Sequence, residues 1–310
     1  MSTLFSSFIL PPSSLVQPSS WCSHSFLNTT LPIGIFDSGV GGLTVYRALH
    51  ERLPNEHFVY LGDTARVPYG TKSLSTVERY AIENSKFLEA HGIKLLVVAC
   101  NTASALALPA IRAAVGVSVV GVIGPGARAA ARITLGKKVA VLATEATVQS
   151  GAYAAAIAKT DSTISVIERA CPLFVPLAEE GWASSDVARA VAEEYLGDLR
   201  KEDLGALVLG CTHYPILREL ISDVIGSQVS LIDSGEATAA EVKSLLDENG
   251  LSAERNTREL SERQLCDDLD HFYVTDAAER FAKVAERFLG TAPAVLEAVE
   301  VWGHDELRTH

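Results

Sequence analysis

No stretch of this 310-residue chain stays apolar for the ~18–20 residues that a membrane-spanning helix requires. Cysteine is scarce and odd in number, five in all, which argues against a disulfide scaffold and for a reducing compartment. Basic residues are outnumbered, 26 Lys and Arg against 38 Asp and Glu. The resulting net charge of -12 argues against a nucleic-acid or anionic-membrane surface. Side-chain charge is absent altogether before Asp37. That leader is rich in Ser, Thr and Pro, with short apolar patches such as Phe8–Leu10. It lacks the basic n-region of a secretory signal and the arginines of a transit peptide. Residues 1–30 are therefore expected to be a disordered extension. Overall, 48% apolar and 21% charged residues describe an ordinary globular chain, long enough for one large or two modest domains.

From Ile33 onward, short apolar runs alternate with amphipathic stretches. The runs Ile33–Phe36, Phe58–Leu61, Leu95–Ala99, Val117–Val122, Val139–Leu142, Ile164–Ile167, Ala206–Leu209 and Val229–Ile232 read as strands bounded by turn formers. Leu43, Tyr46, Leu49 and Leu53 recur at a helical period before Pro54, and Val77, Tyr80, Ala81, Phe87 and Leu88 do so before a C-capping Gly92. Buried strands separated by helices predict a parallel α/β sheet. Two echoes suggest a repeat. Leu95–Ser104 resembles Ala206–Pro215, each a strand, a Cys, polar residues and a helix, and Ile35–Gly39 resembles Leu231–Gly235. The expected architecture is two pseudo-symmetric α/β lobes with the site between them. Residues 31–122 with 233–290 form the first, 123–232 the second, and 291–310 a tail. His271–Thr275 and Ala277–Leu289 supply a last strand and helix, while the charge-dense Asp247–Asp270 reads as a solvated helix end and loop.

Ligands of open α/β sheets bind beyond the carboxyl ends of the strands. Those ends carry Asp37-Ser38-Gly39, Gly62-Asp63-Thr64, Cys100-Asn101-Thr102, Thr144–Thr147 and Cys211-Thr212-His213. Cys22, Cys171 and Cys266 read as small buried hydrophobes. Cys100 and Cys211 differ, because each precedes a helix start, where free N–H groups and the dipole favour thiolate. Two thiols facing one small acid suggest proton transfer at a stereocentre, one removing the Cα proton and the other delivering a proton to the opposite face. A thiol near its ordinary pKa of ~8.5 is too weak a base for that proton unless the site also stabilises the carbanion. Asp37 and His213 are placed to handle the thiol protons. Plainer readings stand beside this one: an Asx turn at Asp37, close packing at Gly41 and Gly42, a partial metal site or a Cys–His hydrolase at Cys211 and His213.

The segments Gly34–Thr44, Leu61–Gly70, Val98–Ser104 and Leu209–Pro215, with weaker matches at Ala143–Tyr153 and Cys171–Gly181, resemble the cofactor-independent aspartate/glutamate racemase superfamily over about residues 31–290. His213 within Cys-Thr-His-Tyr-Pro favours the branch that acts on glutamate. The resemblance implies that Cys100 and Cys211 are the acid/base pair, that Asp37 assists Cys100 and that His213 assists Cys211. It maps a further acid onto Glu179, with Glu180 as its neighbour and rival. It implies substrate contacts at Asp37, Ser38, Tyr69, Gly70, Asn101, Thr102, Thr147, Thr212 and His213, with Asp63 ordering the loop beside it. It also implies an isomerase without metal or other cofactor, cytoplasmic, with a homodimer as the assembly common among proteins of this fold, supplying D-glutamate for peptidoglycan and hence for cell-wall biogenesis and cell shape. Aspartate and hydantoin racemases, and a racemase-like binding protein such as a topoisomerase inhibitor, are the alternatives.

Overall fold

The computed structural model describes residues 29–134, 136–254 and 263–301. The leader's expected disorder and Cys22 lie outside them. Among the described residues, ten strands form two sheets in which every pairing is parallel. In chain order they are β1 (Ile33–Asp37), β2 (Phe58–Gly62), β3 (Leu95–Val98), β4 (Ser118–Gly121), β5 (Lys138–Ala143), β6 (Val166–Ala170), β7 (Leu204–Gly210), β8 (Ser230–Asp233), β9 (His271–Val274) and β10 (Leu296–Ala298). The first sheet runs β10-β9-β2-β1-β3-β4 and the second β6-β5-β7-β8. β1, β2 and β3 are buried throughout, which is why they appear in the sequence as unbroken apolar runs rather than alternating ones.

The order β2-β1-β3-β4 is the order β6-β5-β7-β8 repeated. The α/β lobes are therefore topological copies, with β3 matching β7 and β1 matching β5. The echo around Cys100 and Cys211 follows this repeat. The Asp-Ser-Gly echo does not, since Asp37 ends β1 whereas Asp233 ends β8. Its likeness is local: each Asp accepts a bond from the amide two residues on, at Gly39 (2.9 Å) and Gly235 (2.7 Å). In the second lobe, Thr144 follows β5 as Ser38 follows β1 in the first.

Three expectations need correction. β6 begins two residues later than Ile164, because Asp161 accepts bonds from Thr163 N and Oγ1 in the preceding turn. Its half-buried edge position tolerates Glu168 and Arg169, so the apolar signal fades there. The segment after Gly290 supplies β10, a three-residue edge strand too polar to stand out in the sequence. Finally, the far end of Asp247–Asp270 is not solvated. Asp270 is buried, accepting from Tyr46 Oη (2.8 Å) and Phe58 N (2.9 Å) and pairing with Arg263 (2.8 Å), while Tyr46 Oη accepts from Cys266 N (2.7 Å). Apolar contacts with the first lobe draw these charges inward only because each is paired. Tyr46→Phe removes the bond to Asp270 Oδ2 and the acceptor of the Cys266 amide, so a loss of about 1–3 kcal/mol is expected in urea unfolding.

Helix Ile123–Ile133 packs on β7 and helix Ala152–Thr160 in the second lobe, and helix Ser234–Glu248 bridges it to Leu43–Arg52 in the first. No helix among the described residues is long and apolar enough to cross a membrane. The carboxyl ends of β1, β3, β5 and β7 meet where the two lobes face each other.

Candidate active site

Cys100 lies two residues beyond β3 and is the N-cap of helix Asn101–Leu106, with extended backbone. Cys211 follows β7 directly and leads through Thr212 and His213 into the short helix Tyr214–Leu217. Both thiols are free and buried, and both face one cavity of about 70 Å3 between the lobes. Ser38, Tyr69, Gly70, Asn101 and Thr102 line it from the first lobe, and Glu179, Thr212 and His213 from the second. Three contacts lock the lobes together around it: Thr102 to Thr144 (2.9 Å), Tyr153 Oη to Asn101 Oδ1 (2.6 Å) and Thr44 Oγ1 to the Thr212 carbonyl (2.8 Å).

Two expected contacts lie one layer back. Asp37 is fully buried beneath the cavity, one oxygen held by Gly39 N and the other without a partner. Burial raises its pKa, and the charge on His213 opposes that rise. Thr147 reaches the cavity only through Thr144 (2.9 Å) and Thr102 (3.3 Å). Tyr69 does line the site, but its hydroxyl is committed to Asp63 and to Asn84 (3.1 Å). It therefore offers the cavity its ring and main chain. Asp63 in turn holds Arg66, Asn84 and Thr275, which ties the 67–70 loop to the end of β9. Val40, Val67, Pro68, Val175 and Thr144 also line the cavity. The four apolar residues carry no chemical signature in sequence. Thr144 is among the strand-end residues of the sequence, and it also caps helix Glu145–Ser150 by accepting from Thr147 N.

His213 Nδ1 lies 3.8 Å from Cys211 Sγ, and its Nε2 lies 3.1 Å from Glu179 Oε1. Adjacent Glu180 instead points towards Arg280 at 3.7 Å. Burial works against a charge on His213, but bonding to Cys211 and Glu179 prevails and lifts its pKa to about 10. The same bond to His213 holds Glu179 below its ordinary value despite burial. Cys100 sits in the opposite environment. Burial, and then the nearby Asp37 carboxylate, push its thiol up to about 12, while Ser38 Oγ at 3.5 Å is its side-chain partner. The site thus sets a thiol whose ionisation burial opposes on one wall against a cysteine beside the His213–Glu179 pair on the other. No Lys or Arg is among the residues lining the cavity. Its donors are the Asn101 Nδ2 group, buried and unpartnered, and the Ser and Thr hydroxyls, since both ring nitrogens of His213 are engaged by Cys211 and Glu179.

A folded-state pKa above the ordinary ~6.5 means that protonated His213 stabilises the fold fully below that pH and loses its contribution as pH rises through about 10. The stability difference between wild type and His213→Asn is expected to shrink across that window; urea midpoints measured along it check this. Gly41 and Gly42 have a steric task. A methyl on Gly41 would collide with Thr212 Oγ1 and the His213 ring, and one on Gly42 with the Asp37 side chain. Gly41→Ala is therefore expected to cost about 1–3 kcal/mol in urea unfolding, the range of an overpacked site.

The Asp/Glu/Hydantoin racemase family model matches residues 33–242. The chain belongs to the Asp/Glu/hydantoin racemase family. Within that family, it is 51% identical to the glutamate racemase of Geobacter metallireducens over 258 residues, 83% of this chain and 92% of that protein. Among solved structures, a glutamate racemase isoform of Bacillus anthracis superposes with a TM-score of 0.81 at 36% identity, covering 88% of this chain and 98% of that one. The glutamate racemase of Francisella tularensis, solved in complex with D-glutamate, gives 0.79 at 40% identity with the same coverage. The two-lobed racemase fold is thus shared along nearly the whole length of these relatives.

Proposed function

We propose that this protein is a glutamate racemase that interconverts the L and D enantiomers by two-base proton transfer between Cys100 and Cys211, supplying D-glutamate for peptidoglycan. The observation that carries the reading is the placement of two free thiols, one from each topologically equivalent strand end, on one small cavity. Relatives named glutamate racemase, one of them holding D-glutamate, support the choice of substrate.

One cysteine, as thiolate, takes the Cα proton, and the bonding electron pair stays on Cα as a carbanion delocalised into the α-carboxylate. The other, as thiol, returns a proton to the opposite face. The roles then stand exchanged, so the product complex is the reactant complex of the reverse reaction. Asn101 Nδ2 and the Ser and Thr hydroxyls bind the carboxylates, an arrangement in which local donors overcome a net charge of -12. His213, backed by Glu179, serves the Cys211 proton, and Asp37 serves that of Cys100. In deuterium oxide, each turnover must place solvent deuterium at Cα. Incubation of the reduced protein with L- or D-glutamate, read by proton NMR and chiral chromatography, tests this. Turnover of aspartate or a hydantoin in preference to glutamate would reassign the substrate, and racemisation without label entry would exclude the mechanism.

A further inference from the structure

The helix Ala278–Leu289 lies between β9 and β10 in the first lobe, yet its residues touch the second lobe at the His213 corner of the site. Phe288 sets its ring edge-on to the His213 imidazole, with centroids 5.9 Å apart at 87°. The Phe288 carbonyl is held by Arg47. One residue earlier, Arg287 donates to the main-chain carbonyl of Glu179, the last residue of the short helix Phe174–Glu179. The chain turns away at Gly181, whose φ of +75° is open to glycine, and whose Cα hydrogen faces the Arg287 side chain. Arg280, one side of the same helix, lies 3.4 Å from Glu179 Oε2.

A carbonyl at a helix end has no partner within the helix, and a guanidinium there satisfies it and meets the negative end of the dipole. Both arginines are exposed, but Arg287 holds the main chain of Glu179 by a hydrogen bond, while Arg280, 67% exposed, adds only a screened contact to its carboxylate. Neither arginine touches the thiols or lines the cavity. We propose that Arg287, aided by Arg280, is a positioning residue that reaches from the first lobe to hold the end of helix Phe174–Glu179, so that the Glu179 carboxylate stays on His213. The latch makes the His213–Glu179 pair depend on lobe-to-lobe contact, although both residues belong to the second lobe. The effect on turnover rests on the racemase reading; the effect on His213 does not.

The groups that face His213 are Cys211 on its own loop, Glu179 from helix Phe174–Glu179 and Asp37 from the end of β1, with Arg280 acting through Glu179. Two-dimensional NMR of histidine-labelled protein follows the titration of His213 in wild type, Arg287→Ala, Arg287→Lys, Arg280→Ala and Glu179→Gln. The expected result is a downward shift of the midpoint in Arg287→Ala, towards that of Glu179→Gln, with recovery in Arg287→Lys and a smaller shift in Arg280→Ala. In the racemase assay, kcat is expected to fall on the order of tenfold in Arg287→Ala, below the ~10²-fold cost of a displaced catalytic group, with KM little changed. A wild-type His213 titration in folded Arg287→Ala overturns the proposal. If Arg287→Ala does not fold, Arg287→Gln takes its place, and an unshifted midpoint there overturns it equally. Absence of racemisation in wild type would fail the functional reading and leave the His213 shift as an independent test of the latch.

Discussion

Replacing either Cys100 or Cys211 by serine is expected to lower glutamate racemisation by about 10²–10⁴-fold, the range that a single positioned acid or base supplies. A hydroxyl holds its proton far more tightly than a thiol, so serine preserves shape and hydrogen bonding while removing the base. Both residues are buried and make few polar contacts, Cys100 to Ser38 and Cys211 to His213, so the folded structure should tolerate the exchange. The enantiomers have equal free energies, which fixes the equilibrium constant at unity. Each variant must therefore lose kcat/KM equally in both directions, and asymmetry will appear only in kcat and KM separately. The primary deuterium isotope effect should rise most for the enantiomer whose Cα proton faces the altered residue, because that abstraction becomes limiting. The two variants should favour opposite enantiomers in this respect. A folded variant that keeps more than a tenth of wild-type kcat would rule out the two-thiol scheme.

His213→Asn is expected to cost about 10²-fold in kcat, at the low end of the acid–base range, because Cys211 remains in place but loses its proton partner. The neighbouring thiol at 3.8 Å and Glu179 at 3.1 Å hold the imidazole charged to about pH 10, so wild type carries a cation beside Cys211 throughout the neutral range. Asparagine retains a donor but no titrating charge. The high-pH fall in wild-type kcat that accompanies loss of the His213 proton should therefore be absent from the variant. Its isotope effect should resemble that of Cys211→Ser and differ from that of Cys100→Ser. A variant with wild-type kcat across this range would place His213 in a binding role alone.

Much of the molecule is legible before folding, for identifiable reasons. Strands β1 to β3 are buried on both faces, so β-branched and apolar residues fill them without interruption. The Leu43–Arg52 helix shows its period because only one face is buried, and helix Leu74–Ala90 is bounded by a Ser73 cap and by Gly92 at φ +72°. Illegible parts are those where burial and polarity part company. β6 and β10 are edge strands with charged residues, and Arg263 and Asp270 are charges held in the core by pairing with each other and by bonds to Glu56, Tyr46 and Phe58, far away in sequence. The Asp-Ser-Gly echo misled for the same reason: a short turn motif reports local hydrogen bonding, whereas a repeat is defined by strand order.

The sequence by itself determined the parallel α/β class, the two-lobe plan and the candidate residues at strand ends, since side-chain periodicity and helix-start chemistry are local properties. Only the tertiary structure decided which of two adjacent acids reaches His213, that the Tyr69 hydroxyl is spent on Asp63 and Asn84, and that Asp37 keeps one buried oxygen unpartnered. It also brought Arg287 to a carbonyl on the opposite lobe. Each of these depends on the approach of residues distant in the chain, which packing between lobes sets and no local pattern encodes.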